Sequence, residues 1–283
     1  MAEDHTVPLL ERFLFLSIFS SNMDEFFVVR VGRLKEEAAH GPSGDGDALS
    51  PAQLVDLIAI RVRSLVARQY ACLTQALLPQ LAEHDVHVRR WEELKAEQKS
   101  ALSERFTDEI FPLLTPLAMS ASAGRAFPRL PSLGLSLAAV LRKRGEPKAE
   151  FGYVPVPDDL LRFLYVEGTK DLIETAEVIM ANAGALFPAF EVAGVHEFRV
   201  SCLSDVVIDE DSSGSLLAAV ADQVEGRRFK PVIRIEVHGS MPGEVRAHLL
   251  KELRAERGSD SAVLTRSDVY EVDGPIDLTA FAK

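Results

Sequence analysis

Cysteine is scarce in this chain: Cys72 and Cys202 are the only two, far apart and without a C-x-x-C companion. That excludes a disulfide frame and a thiolate zinc site, and it suits a reducing compartment, so a cytoplasmic protein is expected. Long apolar runs are missing as well. Stretches such as 133–141 are broken well short of the ~18 consecutive residues a bilayer span needs, and no charged-then-apolar leader precedes a cleavage site. Neither secretion nor membrane spanning is expected, and peripheral membrane association has no support. Positive charge is in deficit, with 31 Lys plus Arg against 43 Asp plus Glu and a formal charge of -12. Such a balance repels polyanions and argues against nucleic-acid binding. The phosphate loop G-x-x-x-x-G-K-[ST], the dinucleotide fingerprint G-x-G-x-x-G, the G-x-S-x-G elbow and H-E-x-x-H are all absent. His84 and His87 form the one close histidine pair, but with no carboxylate or cysteine partners nearby they read as an exposed turn. No metal ligand and no catalytic residue is assigned.

What is present is ordinary globular material, 47% hydrophobic and 26% charged over 283 residues, enough for two domains at about 100–200 residues each. The first third has helical periodicity. Phe13, Leu16, Ile18, Phe19, Met23, Phe26, Phe27 and Val31 recur at steps of three and four, too densely for a helix covered on one side only. A glycine- and proline-bearing loop at 40–47 follows. Ser50-Pro51 then supplies an N-cap and a first-turn proline for a helix whose stripe is Leu54, Ile58, Val62, Leu65, Gln69, Cys72 and Ala76. A third helix is expected from Trp91 to Ile110, ended by Pro112 and Pro116. These three make an antiparallel bundle.

Past Pro116 the apolar residues fall into short runs between turn signals. Strands are expected at 133–141, 151–156, 162–166, 197–203 and 231–237, and helices at 170–186, 213–223 and from Met241-Pro242-Gly243-Glu244 onward. In the strand 231–237, Val232, Arg234 and Glu236 fall on one face and Ile233, Ile235 and Val237 on the other. In the last helix Val245, Leu249, Leu250 and Leu253 share a side. Mixed elements without regular βαβ alternation indicate an α+β domain.

Two local features carry chemistry. The segment Arg125–Lys148 holds six basic residues and one acid, so Arg142, Lys143 and Arg144 are candidates to hold a polyanion, against the plainer alternative of a solvated loop. The string Ser20-Ser21-Asn22-Met23-Asp24-Glu25-Phe26-Phe27 admits two readings. Asn22 could cap a helix with Glu25 reaching back as a capping-box partner. Alternatively its carboxamide, donor and acceptor at once, could pair with a heterocycle such as adenine at a pocket edge.

The run Leu10-Glu11-Arg12-Phe13-Leu14-Phe15-Leu16-Ser17-Ile18-Phe19-Ser20-Ser21-Asn22-Met23-Asp24-Glu25-Phe26-Phe27-Val28-Val29-Arg30-Val31 resembles the N-terminal signature of the polyphosphate kinases that build long polyphosphate from ATP. Ile110-Phe111-Pro112-Leu113-Leu114-Thr115-Pro116-Leu117-Ala118 resembles that family's junction between N-terminal and head domains, and Asp268-Val269-Tyr270-Glu271-Val272-Asp273-Gly274-Pro275-Ile276-Asp277-Leu278 the close of its head domain. Phe198-Arg199-Val200 and the strand at 231–237 fit between them. The resemblance implies a helical N-terminal domain, residues 1–112, and a head domain of phox-homology-like α+β fold, residues 113–283. It further implies two phospholipase-D-like domains that hold the phosphorylated histidine, the phosphate-binding arginines and the magnesium ligands. These domains have no counterpart here, and no histidine stands in H-x-K spacing.

Carried over by position, Asn22 matches the family asparagine that binds the ATP base. The resemblance implies ATP and polyphosphate as partners of the complete enzyme, magnesium only there, and a homo-oligomer. This chain alone is then inactive, contributing base contact and assembly surface. The alternative is a stand-alone polyanion-binding or assembly module. Similar proteins begin with a further helix containing Ser-Trp-Leu-x-Phe-Asn, so apolar surface on Phe13–Phe27 is expected to need other cover.

Overall fold

The computed structural model describes residues 1–39, 49–119, 127–128, 130–143, 148–203, 231–255 and 264–282. The loop expected at 40–47 and the helix expected at 213–223 lie outside these residues.

The first helix, α1 (Leu9–Glu25), starts behind Pro8, whose carbonyl accepts the Arg12 N–H at 3.1 Å. It does not stop at Asn22. A π-helical turn (Phe26–Val31) and α2 (Gly32–Ala39) continue it directly, because the buried stripe runs on through Phe27 and Val31. Asn22 is thus a mid-helix residue whose carbonyl accepts the Phe26 N–H, and the cap with Glu25 does not form. The expected cap at Ser50 does form. Ser50 Oγ accepts the Gln53 N–H at 3.3 Å and Gln53 Oε1 accepts the Ser50 N–H at 2.9 Å, opening α3 (Pro51–Cys72). Another π-helical turn (Leu73–Leu77) and α4 (Leu78–Ala82) follow. The two long rods pack as a hairpin, tied by Gln69 Nε2, which donates to Leu16 O at 3.0 Å and Ser20 Oγ at 2.7 Å.

The third helical stretch is not continuous from Trp91. Leu94 is extended, and each side of it has its own start: Glu93 reaches back to the Arg90 N–H at 2.9 Å and Gln98 to the Lys95 N–H at 3.0 Å. The result is a short 3-10 turn (Trp91–Glu93), then α5 (Ala96–Arg105) and a π-helical turn (Phe106–Ile110). The flanking turns pack on α6 (Thr175–Ala181) of the following α+β part.

Among the described residues two sheets build that part. The smaller has the order β1-β6-β5, from β1 (Val88–Arg89), β5 (Phe163–Tyr165) and β6 (Leu172–Glu174). The larger has the order β2-β4-β3-β7-β8-β9, from β2 (Leu117–Met119), β3 (Leu135–Arg142), β4 (Ala149–Pro155), β7 (Glu191–Cys202), β8 (Val232–His238) and β9 (Val269–Val272). Its pairs are antiparallel except β8 with β9. The helix expected at 170–186 begins only at Thr175, because Leu172–Glu174 finds strand neighbours on both sides, β1 and β5. It is further divided into α6 and α7 (Ala183–Leu186).

Period two sorts the side chains of the large sheet. Ala138, Phe198, Val200 and Val237 pack under α8 (Gly243–Ala255), whose Val245, Leu249, Leu250 and Leu253 are buried as its stripe requires. Leu135, Leu137, Ala139 and Leu141 face the other way, onto α6 and the hairpin side. One expectation fails at β8. Ser201 pairs with Arg234 but Cys202 with Val232, so Ile233 is an extra residue in a β-bulge. The bulge re-aims Ile233 away from Ile235 and Val237 and into a cluster with Phe27, Val31, Leu203 and Tyr270 on the hairpin face, while Val232 joins the α8 side.

The apolar surface of α1 is covered partly by the end of the chain. Phe281 lies with its ring 5.2 Å from that of Phe13, and Leu16 is buried, whereas Leu10 and Ile18 stay exposed. No helix among the described residues is long and apolar enough to cross a membrane.

Candidate functional site

Asn22 projects from the exposed face of α1, and among the described residues its carboxamide makes no hydrogen bond. Two residues on, Asp24 points the opposite way and is buried at the foot of the large sheet. Arg199 of β7 grips it with two nitrogens, Nη1 to Oδ1 at 2.9 Å and Nη2 to Oδ2 at 2.5 Å, and Arg234 of β8 adds Nη2 to Oδ1 at 2.5 Å. Glu236 Oε2 accepts from Arg199 Nη1 at 3.0 Å and forms an ion pair with Arg234 Nη2 at 3.0 Å, and Asp277 stands 3.7 Å from Arg199. Each Nε is used too: Arg199 Nε bonds Leu133 O at 2.7 Å and Arg234 Nε bonds Ser201 Oγ at 3.0 Å. The Arg234 guanidinium also lies over the Phe27 ring at 4.5 Å. Burial alone would weaken the charge on Arg199, but Glu236, Asp24 and Asp277 outweigh it and raise its pKa.

This network fixes the rotation of α1 about its own axis. With Asp24 locked inward, the residues a half-turn away, Asn22 among them, are held outward. A second buried pair, Lys35 Nζ to Asp268 at 2.5 Å, pins α2 in the same sense. The signal for the network lay in the strands. Arg199 stands between Phe198 and Val200, and Arg234 between Ile233 and Ile235, where a charge cannot reach water if both flanks are core. What periodicity could not supply was the partner, Asp24, 175 residues away from Arg199.

The basic segment is less free than its composition suggests. Arg142 is exposed at the end of β3, but Lys143 pairs with Glu150 at 2.8 Å and lies 5.7 Å from the Phe190 ring centroid. Arg144 lies outside the described residues.

A cavity of ≈ 280 Å³ opens where hairpin, small sheet and large sheet meet, with Glu174, Glu177, Glu197, Gly274, Pro275 and Phe281 on its walls. Burial raises the pKa of Glu174 and Glu177 and pushes that of Glu197 up to about 8. A wider groove of ≈ 520 Å³ runs between α3 and β9. Asn22 lines neither. Among the described residues no group of three His, Cys, Asp or Glu is arranged to hold a metal ion.

Comparison with known proteins places this arrangement. The family model described as the polyphosphate kinase N-terminal domain matches residues 1–89, and that of the polyphosphate kinase middle domain matches residues 97–283. A polyphosphate kinase of Streptomyces coelicolor is 38% identical over 280 residues, covering 99% of this chain and 36% of the relative. One of Mycobacterium avium is 33% identical over 292 residues, covering 99% and 38%. The crystal structure of polyphosphate kinase from Porphyromonas gingivalis superposes with a TM-score of 0.70 at 26% identity, again over 99% of this chain and 38% of the other. The chain therefore spans little more than a third of the relatives it matches.

Proposed function

Since the chain belongs to the polyphosphate kinase family, we propose that it is the N-terminal and head portion of such an enzyme, and that it orients the nucleotide rather than performing the chemistry. In the complete enzyme the terminal phosphate of ATP passes reversibly to polyphosphate through a phosphohistidine. Such a transfer depends on a nucleophile, cationic clamps and magnesium placed around the moving phosphoryl group. The resemblance puts these in phospholipase-D-like domains beyond residues 113–283. What this chain offers is Asn22, exposed and unpartnered on a helix whose rotation Asp24 fixes. That observation carries the reading, because a helix held in this rotation keeps the carboxamide outward, where it can meet an adenine edge at the cost of ordering only its own side chain. The head supplies assembly surface in a cytoplasmic homo-oligomer.

The purified 283-residue chain should show no ATP-dependent polyphosphate synthesis above a protein-free blank. It should bind ATP weakly in an NMR titration, and Asn22→Ala should weaken that binding about fivefold to tenfold, the worth of one net hydrogen bond or slightly more. Turnover by the wild-type chain, or unchanged binding by the variant, would refute the assignment. The polyanion-module alternative predicts salt-sensitive retention on polyphosphate that is lost when Arg142, Lys143 and Arg144 become alanine. The Lys143–Glu150 pair weighs against it.

A further inference from the structure

Residues 273–282 form a strap lying between the hairpin and the head, bonded to both. On the hairpin side Tyr70 Oη donates to Pro275 O at 2.7 Å and Ser17 Oγ to Thr279 O at 3.1 Å. A Cβ on Gly274 would stand 3.2 Å from Tyr70 Cδ1, so glycine permits that close approach. Asp277 adopts the left-handed conformation, φ 69°, and its own carboxylate closes the turn by accepting the Thr279 N–H at 3.0 Å. On the head side Arg162 Nη2 donates to Ile276 O at 2.7 Å, and the Phe281 ring lies 5.3 Å from Phe163. Ile276 and Leu278 are fully enclosed beneath it.

The head-side anchor is overcommitted. The same Arg162 Nη2 that holds Ile276 also bonds Glu174 Oε2 at 2.8 Å and lies 3.9 Å from Glu197 Oε2, while its Nε is buried with no partner among the described residues. One guanidinium thus faces two carboxyl groups from β6 and β7 as well as a carbonyl of the strap. Glu197, 11% exposed, opens onto the ≈ 280 Å³ cavity, which also reaches Gly274 and Pro275 of the strap.

We propose that the strap is a proton-operated latch: protonated Glu197 leaves Arg162 free to hold Ile276, and loss of that proton puts a second buried carboxylate on the guanidinium and releases the strap from the head. The cavity beside Glu197 has room and polar walls for the water that would hydrate the ionised group.

The surrounding charges set the direction. Burial, then the neighbouring Glu174, push Glu197 up to about 8, with Arg162 opposing and Glu177 of α6 adding a little. Arg89 and Arg90, in and just after β1, line the far side of the cavity, and Asp273 belongs to the strap itself. His196 beside Glu197 and His238 at the end of β8 are held below the usual histidine range by burial, so neither changes charge above neutrality. The closed form therefore binds a proton that the open form releases near the ordinary glutamate value of 4.5. The closing constant falls as pH rises through that window, by up to about tenfold per unit, and levels off above about 8.

Amide hydrogen exchange of the full chain, corrected for intrinsic rates, tests this between pH 6 and 8.5. In the wild type, protection at 274–282 should fall by up to about tenfold per pH unit while that of α8 stays constant. In Glu197→Gln the strap's protection should be flat, and in Glu174→Gln, which removes the repelling carboxylate, the fall should move to lower pH. A flat wild-type profile, or an undiminished slope in Glu197→Gln, would overturn the latch. If Glu197→Gln does not fold, a carboxyl-carbon NMR titration of the wild type decides: a glutamate titrating near 8 supports the latch, and every glutamate titrating near 4 to 5 ends it.

Discussion

The two faces of the six-stranded sheet differ in how much charge they bury. Toward α8, Phe198, Val200 and Val237 pack with Val245, Leu249 and Leu253, and the polar contacts there include Tyr153 Oη to His248 Nε2 at 2.8 Å. Toward the hairpin the same strands turn Arg199 and Arg234 onto Asp24, with Glu236 paired to both arginines. Apolar burial is non-directional, so the α8 face gains stability wherever volume and shape are filled. The charged face gains little net stability from its ion pairs once desolvation is counted, but it penalises any docking that leaves a charge unmatched. One face stabilises the head; the other sets where the hairpin sits on it.

The comparison can be broken most severely at Asp24. Asp24→Ala leaves Arg199 and Arg234 buried without their shared partner and should cost about 3–5 kcal/mol in urea unfolding. A loss below about 1 kcal/mol would mean that the network contributes nothing to docking. On the opposite face Leu249→Ala should cost about 2–5 kcal/mol, and the two faces should then part company. Leu249→Met, which conserves volume, should bring the loss under about 1.5 kcal/mol, whereas Asp24→Asn, equally conservative in shape, should recover little. The smallest effect belongs to a site on neither face: Ser50→Ala removes the cap of α3 and should cost about 1 kcal/mol without altering the hairpin's docking. Measured by the same unfolding series, it sets the scale of a purely local defect.

Much of this architecture is legible in the amino-acid order. The Ser50-Pro51 start, the α8 stripe and the strands around 135–142 and 149–155 follow from periods of 3.6 and 2 and from turn residues. The family resemblance rested on the same strings, and it was more informative than any single motif. The misreadings share a cause, because each depends on a partner distant in the chain. Asn22 has the chemistry of a cap, but the helix continues because Phe27 and Val31 find a cluster on β8 and β9. Ile233 has the parity of Ile235, but a bulge against Ser201 and Cys202 reverses it. Leu172–Glu174 has helical neighbours in sequence, yet two strands claim it. The partner Asp24 and the strap are invisible to periodicity for the same reason. A lone carboxylate on a helix and a short terminal segment carry no local sign of what they will meet.

Ser17 and Thr279 are 262 residues apart, yet they bond directly in the folded chain. A ribosome working at about 5–20 residues per second would take roughly 13–50 s to make the intervening stretch. For that interval the Phe13 side of the nascent hairpin waits without its cover, open to chaperones and to neighbouring nascent chains. Its closure waits on the emergence of the residues that carry Phe281.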